Sequence, residues 1–162
     1  MIYVDIDGVL RDLCGAAGIN PIEWDCKIGS EKKSFTHFFS DNLNLLVTAK
    51  TTEYFPTILF HHTTKEKITL LSAQLKMWRE YTEVWLKTHF INFVPETIFT
   101  SNKLKYLTNK EDILIEDSPN LSDYTQVILI DRPYNRNIKL PHKRVKTSWQ
   151  LVKEIDRRKY GI

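Results

Sequence analysis

The sequence contains little of what marks disulfide-rich, repetitive or membrane-spanning proteins. Its 162 residues include two cysteines, Cys14 and Cys26, too few for a disulfide framework and not spaced as a metal-binding pair. No apolar run approaches the length that spans a bilayer, and no internal repeat or low-complexity segment is present. Because the chain enters a strand pattern at once and meets Asp5, we also expect no signal peptide. These absences favour a cytoplasmic globular protein.

Acidic and basic residues nearly balance, so charge gives no functional signal for the whole chain. The formal net charge is +3, too small to indicate nucleic-acid binding by itself. The basic excess is concentrated towards the end of the sequence. We interpret it as a solvated helix face and tail, in preference to a surface that binds a polyanion. The basic residues of this region are Arg132, Arg136, Lys139, Lys143, Arg144, Lys146, Lys153, Arg157, Arg158 and Lys159.

Composition and pattern indicate one α/β domain of ordinary size. Hydrophobic residues make up 42% and charged residues 27% of the chain, as is usual for a globular domain. Short apolar runs alternate with segments of helical periodicity, which predicts a Rossmann-like, mostly parallel sheet with helices on both faces. The predicted strands are residues 2–6, 68–72, 97–101, 113–116 and 127–131, and the predicted helices are residues 76–89 and a segment from Ser148, its candidate N-cap.

The segment from Arg11 to about Lys65 departs from this alternation. It is too long for a structureless loop inside a compact domain, so we predict a small helical cap inserted after the first strand. The core would comprise residues 1–10 and 66–162, and the cap residues 11–65. Most aromatic side chains of the cap are expected to form its own core, whereas one or two could stack on a flat substrate. The aromatic residues of the predicted cap are Trp24, Phe35, Phe38, Phe39, Tyr54, Phe55 and Phe60.

Two carboxylates follow the first predicted strand. Because side chains alternate along a strand, Asp5 and Asp7 leave the same side of the chain where the strand ends. Two carboxylates at such a short distance repel each other unless a cation or a shared proton reduces the repulsion. A pair in this position therefore indicates a chemical role and not a contribution to stability.

Further polar side chains follow the other predicted strands. Ligands of open parallel sheets bind beyond the carboxyl ends of the strands, where Ser72, Lys103, Glu116 and Asp117 join the two aspartates. Carboxylates from two strands suit Mg²⁺, and a hydroxyl and an ammonium suit the remaining oxygens of a phosphate. The pattern predicts a phosphoryl-transfer site with a carboxylate nucleophile.

Some of these assignments leave alternatives open. Ser72 could instead cap a helix or a turn. Lys105 is close enough to compete with Lys103 for the inward position, although Lys103 lies just past the strand. Glu116 and Asp117 are adjacent, so either could be the direct metal ligand.

Four other residues carry weaker signals. Arg11 and Asp12, which follow the segment with Asp5 and Asp7, could support that pair or lie on the surface of the hinge to the cap. Adjacent residues point apart on any regular element, so His61 and His62 are interpreted as core or surface residues and not as metal ligands.

The ordered motifs resemble those of the haloacid-dehalogenase superfamily of phosphohydrolases. The matching residues are Asp5-Ile-Asp7-Gly8-Val9-Leu10, Leu70-Leu71-Ser72, Lys103 and Ile113-Leu-Ile-Glu116-Asp117-Ser118. Within the superfamily the chain is most similar to the 5'(3')-deoxyribonucleotidases and their phage-type relatives. That likeness rests on the Gly-Val-Leu of the first motif, the insertion after it, Thr100-Ser101-Asn102-Lys103, Ile130-Asp131-Arg132-Pro133-Tyr134-Asn135, and Trp149 in the last helix.

The resemblance implies roles for the first motif. Asp5 would attack phosphorus and form an aspartyl-phosphate. Asp7 would protonate the leaving oxygen, take a proton from the hydrolytic water, and ligate the metal through its backbone carbonyl. Gly8 would let the chain turn sharply so that backbone N–H groups face the phosphate.

The same resemblance implies roles for the other motifs. Ser72 would hold a phosphate oxygen, and Lys103 would neutralise the nucleophile and the phosphoryl charge. Asp117 would ligate Mg²⁺ together with Asp5. Glu116 would be a second ligand or an acceptor in the outer shell.

The implied activity is that of a Mg²⁺-dependent phosphoric monoester hydrolase. A cap over the strand ends could enclose a nucleoside-sized ligand and exclude water from the aspartyl-phosphate. We therefore expect a 5'-nucleotidase acting on (deoxy)nucleoside monophosphates. The alternatives are a phosphatase of another small phosphate ester or of a nucleic-acid phosphate end, and a non-catalytic binding descendant. The last is disfavoured because Asp5 and Asp7 are both retained.

Overall fold

A computed structural model describes residues 1–24, 26–137 and 144–161 of the protein. The strands are β1 (Ile2–Val4), β2 (Lys27–Ile28), β3 (Lys33–Ser34), β4 (Ile68–Ser72), β5 (Glu96–Phe99), β6 (Ile113–Glu116) and β7 (Val127–Leu129). The α-helices are α1 (Leu13–Ala16), α2 (Phe35–Asp41), α3 (Asn44–Thr48), α4 (Phe55–Thr64), α5 (Arg79–Phe90) and α6 (Ser148–Tyr160). Short 3-10 helices cover Lys76–Trp78, Lys103–Tyr106, Pro119–Leu121 and Pro133–Asn135. Within these residues no helix has the length and apolar character needed to cross a membrane.

A parallel sheet forms the centre of the fold. In the described residues it has five strands in the order β5-β4-β1-β6-β7, and each pairing is parallel. The α/β, Rossmann-like fold predicted from the sequence is confirmed. Because β4 and β6 flank β1, the residues that follow these strands lie side by side at one edge of the sheet.

The two faces of the sheet are covered by different layers. Ile2 and Val4 pack with side chains of α4, α5 and α6 in one apolar cluster. Tyr3 points to the opposite face, where it packs with Leu114 and with residues in and next to the 3-10 helices, among them Tyr106. Burial on both faces explains why β1 is apolar without alternation. Each fully buried aliphatic side chain of this kind stabilises the fold by roughly 1.5–3 kcal/mol.

The inserted segment whose apolar residues lie outside the main core cluster is smaller than the predicted cap, 11–65. Helices α1, α2 and α3 pack around Phe39 and Leu46 in a second cluster, which Trp78 and Tyr81 from the segment after β4 also join. Helix α4 lies inside the predicted range, but Phe55 and Ile58 join the cluster of the sheet. This helix is the crossover that parallel strands β1 and β4 require. The part of the predicted cap that lies outside the main core cluster therefore ends soon after α3, at Ala49.

Helix α6 shows how local capping sets a boundary. Ser148 is the first helical residue and not the N-cap that the sequence suggests. The cap is Thr147, whose hydroxyl accepts a hydrogen bond from the Gln150 backbone N–H at 3.2 Å. The Ser148 hydroxyl donates instead to the Glu53 carbonyl at 2.6 Å. The predicted strand bounds differ from the observed ones by at most two residues.

Acidic partners accompany part of the basic excess near the end of the chain. Arg157 and Arg158 on α6 each lie 2.7 Å from a Glu154 carboxylate oxygen. Of the other basic residues, Lys139 and Lys143 lie outside the described residues. The pairs on α6 accord with the interpretation of this region as a solvated helix face.

His61, on α4, is buried without a hydrogen-bond partner. Within the described residues, neither ring nitrogen contacts a donor or an acceptor, and the residue is 0% exposed. Burial, with a smaller effect of the Lys65 charge, lowers the pKa of His61. The adjacent His62 accepts a hydrogen bond from the Ile68 backbone N–H at 3.1 Å. Burial therefore places His61 in the core, whereas His62 has a structural hydrogen bond to the backbone.

Replacing His61 with leucine should stabilise the fold by about 1 kcal/mol, because leucine buries no unpartnered nitrogen. With a lowered folded pKa, the unfolded state of the native protein binds more protons than the folded state below about pH 6.5. The free energy of unfolding should therefore fall as the pH drops through that value, and less steeply in the variant. Urea unfolding between about pH 7.5 and about pH 5 measures both slopes. Equal pH dependence of the unfolding free energy in the two proteins would contradict a lowered pKa of His61 in the folded state.

Candidate active site

Asp5, Lys103 and Glu116 meet at the carboxyl ends of neighbouring strands. Asp5 directly follows β1, and its backbone N–H donates to the Ile115 carbonyl of β6 at 2.9 Å. Lys103 Nζ lies 2.8 Å from Asp5 Oδ1 and 2.6 Å from Glu116 Oε2. All three residues are buried, with Asp5 the most exposed at 8%. The Lys103 ammonium therefore bridges two carboxylates in a site that is largely shielded from solvent.

The turn after β5 distinguishes Lys103 from Lys105. Both lie on the 3-10 helix Lys103–Tyr106, but Lys103 is buried and Lys105 is exposed. Lys105 Nζ lies 5.0 Å from the centre of the Tyr106 ring. Of the two, Lys103 is the lysine that the structure places against the carboxylates.

Asp117 follows β6 and is held by residues that come after β7. Its carboxylate accepts a hydrogen bond from the Tyr134 hydroxyl, and its backbone carbonyl accepts one from the Asn135 side chain at 2.9 Å. Burial, followed by the Asp117 charge, raises the pKa of Tyr134, so this hydroxyl remains a donor. Neither Tyr134 nor Asn135 is predicted as a site residue from the sequence. The available signal was their place in the Ile130–Asn135 segment that resembles the nucleotidases.

The charges of the site do not balance. Burial, and then Glu116, raises the pKa of Asp5 well above its ordinary value, and the same causes raise that of Asp117. Burial also opposes ionisation of Glu116, but Lys103 outweighs it and lowers the pKa of Glu116. Burial acts against the Lys103 ammonium too, yet Asp5 and Glu116 raise its pKa. The carboxylates outnumber the ammonium, so an additional cation or bound protons would relieve their repulsion.

The acidic side chains have the geometry of a possible metal site. Oxygens of Asp5, Glu116 and Asp117 lie within 4.8 Å of one another, and such a donor set suits Mg²⁺. One Glu116 oxygen contacts Lys103, and the other accepts hydrogen bonds from two backbone N–H groups at 3.1 Å. Asp5 and Asp117 are therefore better placed as direct ligands, with Glu116 behind them. The Asp7 carboxylate is not part of this group among the described residues, and a contribution from its carbonyl stays a prediction.

Gly8 occupies a position with no room for a side chain. Its φ is +83°, a conformation that glycine adopts without strain. A Cβ atom here would collide with the Asp117 carboxylate and lie 2.8 Å from the Tyr134 hydroxyl. The Gly8 N–H donates to the Arg11 carbonyl at 2.9 Å. Gly8 thus provides the turn and the space for Asp117, and its own N–H is bonded within the loop. The phosphate contact of the backbone at Gly8 stays a prediction.

Ser72 is placed at the end of β4, beside β1. It is 1% exposed, and none of the hydrogen bonds among the described residues involves its hydroxyl. The helical turn that follows is capped at Leu75, so the alternative of Ser72 as a helix cap is not observed. Its role in holding a phosphate oxygen remains a prediction.

The Asp7 carboxylate has surroundings of a different kind. Its Oδ1 accepts a hydrogen bond from Arg11 Nε at 2.8 Å, and its Oδ2 accepts one from Gln74 Nε2 at 2.5 Å. The sequence left the place of Arg11 open and gave no indication of Gln74. Arg11 is buried in the structure, so it supports the first motif and does not lie on a hinge surface.

A cavity with a volume of about 790 Å³ lies next to part of the site. This volume is within the range of pockets that hold small molecules. Asp7, Gly8 and Asp117 border it on the side of the core. The Trp24 ring, from the insertion, packs edge-on against Tyr134 with 5.4 Å between ring centroids. The insertion contributes the opposite wall, which includes Leu13, Ile19, Trp24, Lys27, Phe35 and Thr36.

Cys14 and Cys26 also border the cavity. Burial, followed by the Asp12 charge, raises the pKa of Cys14 to about 12. At neutral pH this thiol is protonated and a poor nucleophile. Asp12 itself caps α1, where its carboxylate accepts a hydrogen bond from the Gly15 backbone N–H at 2.8 Å. Asp5 does not line the cavity, but it lies next to the lining residues Asp7 and Asp117. Compared with the Cys14 thiol, its carboxylate is therefore the better candidate for the nucleophile.

Comparison with known proteins does not assign the chain to a family: no family model matches it, and no curated protein matches it. The chemistry available to the site therefore follows from its own residues. These are a buried carboxylate paired with an ammonium, a group of metal-type oxygens, and a second carboxylate that borders a cavity.

Proposed function

We propose that the protein is a Mg²⁺-dependent phosphatase of the haloacid-dehalogenase type, which acts through an aspartyl-phosphate on Asp5. One observation carries the proposal. Asp5 stands at the end of the central strand with the Lys103 ammonium at 2.8 Å and with Asp117 in the same group of metal-type oxygens. A carboxylate nucleophile, a charge-neutralising lysine and a metal carboxylate are the groups that phosphoryl transfer to an aspartate requires.

The first step forms the covalent intermediate. The Asp5 carboxylate attacks phosphorus, and the bond between phosphorus and the ester oxygen breaks. Asp7 borders the cavity, and its carboxylic acid gives the proton that the leaving alcohol needs. Lys103 neutralises the charge that gathers between the nucleophile and the phosphoryl oxygens.

The second step releases phosphate. A water molecule attacks phosphorus, its proton passes to the Asp7 carboxylate, and the acyl-phosphate bond to Asp5 breaks. The products are inorganic phosphate, a free Asp5 carboxylate and a protonated Asp7, which is ready for the next substrate. Asp5, Asp117 and, behind them, Glu116 are the residues that would hold Mg²⁺. When bound, this ion neutralises phosphate oxygens and orients them towards Asp5.

The cavity favours a nucleoside monophosphate as the substrate. Its volume of about 790 Å³ accommodates a base and a sugar in addition to the phosphate. The wall formed by the insertion presents the aromatic rings of Trp24 and Phe35 together with polar Lys27 and Thr36. Flat apolar rings beside polar groups suit a nucleobase and a sugar. We therefore propose that the protein acts as a 5'-nucleotidase.

A substrate panel assayed with Mg²⁺ tests the proposal. We expect release of phosphate from deoxyribonucleoside and ribonucleoside 5'-monophosphates, with kcat/KM at least about 10-fold above that for sugar phosphates. The panel should include 3'-monophosphates, p-nitrophenyl phosphate and an oligonucleotide with a 3'-phosphate. Chelation of the metal should remove the activity.

Each profile from the panel has a distinct meaning. Preference for sugar phosphates, or equal rates throughout, would refute a nucleotidase but keep a phosphatase. Preference for the oligonucleotide would transfer the activity to nucleic-acid ends. Absence of hydrolysis of every phosphate would refute the enzyme altogether and favour a binding protein.

A further inference from the structure

We propose that Arg11, Thr82 and Gln74 position the Asp7 carboxylate through a closed ring of hydrogen bonds. The proposal rests on the proposed function, in which Asp7 exchanges protons with the leaving oxygen and with water. Starting from one oxygen of Asp7, the ring passes through Arg11, Thr82 and Gln74 and returns to the other oxygen. We call these four residues the Asp7 ring.

Every bond of the Asp7 ring is within hydrogen-bond distance, and the bond from Gln74 is the shortest. Arg11 Nε and Nη2 lie 2.8 and 2.7 Å from Asp7 Oδ1, and Nη2 also donates to Thr82 Oγ1 at 3.0 Å. Thr82 Oγ1 donates to Gln74 Oε1 at 2.7 Å, and Gln74 Nε2 donates to Asp7 Oδ2 at 2.5 Å. The Thr82 hydroxyl thus accepts one hydrogen bond and donates one, which fixes the direction of the ring.

Arg11 is held in a single position from several directions. Its side chain is 0% exposed, and Nη1 donates to the Leu46 carbonyl of α3 at 2.7 Å. The guanidinium carbon lies 5.5 Å from the centre of the Trp85 ring of α5. Because five N–H donors form a planar fork, contacts on several sides leave the guanidinium little freedom to rotate.

Stability alone is a poor reason for such an arrangement. A buried ion pair with its hydrogen bonds often stabilises a fold no more than apolar side chains of the same volume. In this ring the charged and polar groups converge on both oxygens of one carboxylate, and that carboxylate borders the cavity. We therefore assign Arg11, Thr82 and Gln74 as positioning residues, which act on the substrate through Asp7.

Thr82 allows this role to be tested without touching Asp7 or the cavity. It lies on α5, it is 0% exposed, and its ring contacts are to Arg11 and Gln74. Thr82→Val keeps the shape but removes both hydrogen bonds, whereas Thr82→Ser keeps the hydroxyl. We expect kcat to fall about 10-fold in Thr82→Val with KM within about twofold, because proton transfer needs the geometry more than binding does. Thr82→Ser should stay within about threefold of the native kcat.

The nuclear magnetic resonance signal of the Arg11 Nε–H provides a readout that does not depend on activity. In the native protein this proton should exchange slowly with water, since it is buried and bonded to Asp7. It should shift and exchange faster in both Thr82→Val and Asp7→Asn. Circular dichroism and urea unfolding of each variant establish that it is folded under the assay conditions.

The two measurements separate failure of the ring from failure of the proposed function. A native kcat in folded Thr82→Val, or an Arg11 signal that exchanges rapidly in an active native enzyme, would overturn the positioning role and leave the phosphatase intact. A loss of stability with unchanged kcat would show that Thr82 is merely structural and would also overturn it. If the native protein hydrolyses no phosphate, the proposed function fails and the positioning role falls with it.

Discussion

Replacement of Asp5 by asparagine should lower kcat by about 10⁴-fold or more, because the amide has no charged oxygen with which to attack phosphorus. The native protein, quenched during turnover, should carry one phosphoryl group on Asp5, which peptide mass spectrometry detects. The variant should carry none. Substrate binding should change little by comparison, because the cavity walls are formed by other residues.

The same substitution should raise the stability of the protein measured without added Mg²⁺. Asp5 shares its surroundings with Glu116 and Asp117, and the nearest ammonium is Lys103. Removal of one negative charge relieves repulsion within this group, so we expect an increase of roughly 1 kcal/mol in the free energy of unfolding. Added Mg²⁺ should raise the melting temperature of the native protein more than that of the variant, because ligands bound by the folded state stabilise it.

Asp123→Asn is a matched control for the loss of one carboxylate. Asp123 is exposed and is not part of the acidic group or the cavity, so the control should keep native kcat and native stability. Near-normal turnover in Asp5→Asn, or phosphoryl transfer to another residue in the native protein, would remove Asp5 as the nucleophile. A decrease of stability instead of an increase would show that the carboxylates are not in mutual repulsion.

The strand-end residues were accessible from the sequence because simple geometry governs them. Short apolar runs marked the strands, and parallel strands bring their carboxyl ends to one edge. Asp5, Ser72 and Asp117 could therefore be placed together without knowledge of any contact. Lys103 followed the same rule, and burial then separated it from Lys105.

The supporting contacts of the site could not be obtained from the sequence in this way. Arg11 and Thr82 are 71 positions apart, and no periodicity records a contact of that range. The bond from Tyr134 to Asp117 likewise joins two loops whose paths depend on the whole fold. Local pattern also failed for α4, which was assigned to the cap although its apolar side chains complete the core of the sheet. Patterns specify elements and their ends, whereas tertiary packing decides which side chains meet.

Replacement of Lys103 by methionine should lower kcat by about 10²- to 10³-fold, while Lys105→Met should stay within about twofold of the native rate. Methionine has similar length but cannot neutralise Asp5 or the phosphoryl group. Lys105 is exposed and contacts the Tyr106 ring, so its loss should leave the chemistry unaffected. Equal losses in the two variants would mean that neither lysine has the assigned role.

Stability must be separated from catalysis in this comparison, because Lys103→Met leaves Asp5 and Glu116 buried without their shared ammonium. Loss of one partner from a buried ion pair typically costs about 3–5 kcal/mol, which is enough to unfold a domain of marginal stability. In the double variant Lys103→Met/Glu116→Gln one negative charge is removed together with the positive one. We expect it to recover much of the lost stability but not kcat, since the phosphoryl charge still has no ammonium. Recovery of both would show that Lys103 maintains the fold of the site and takes no part in the reaction.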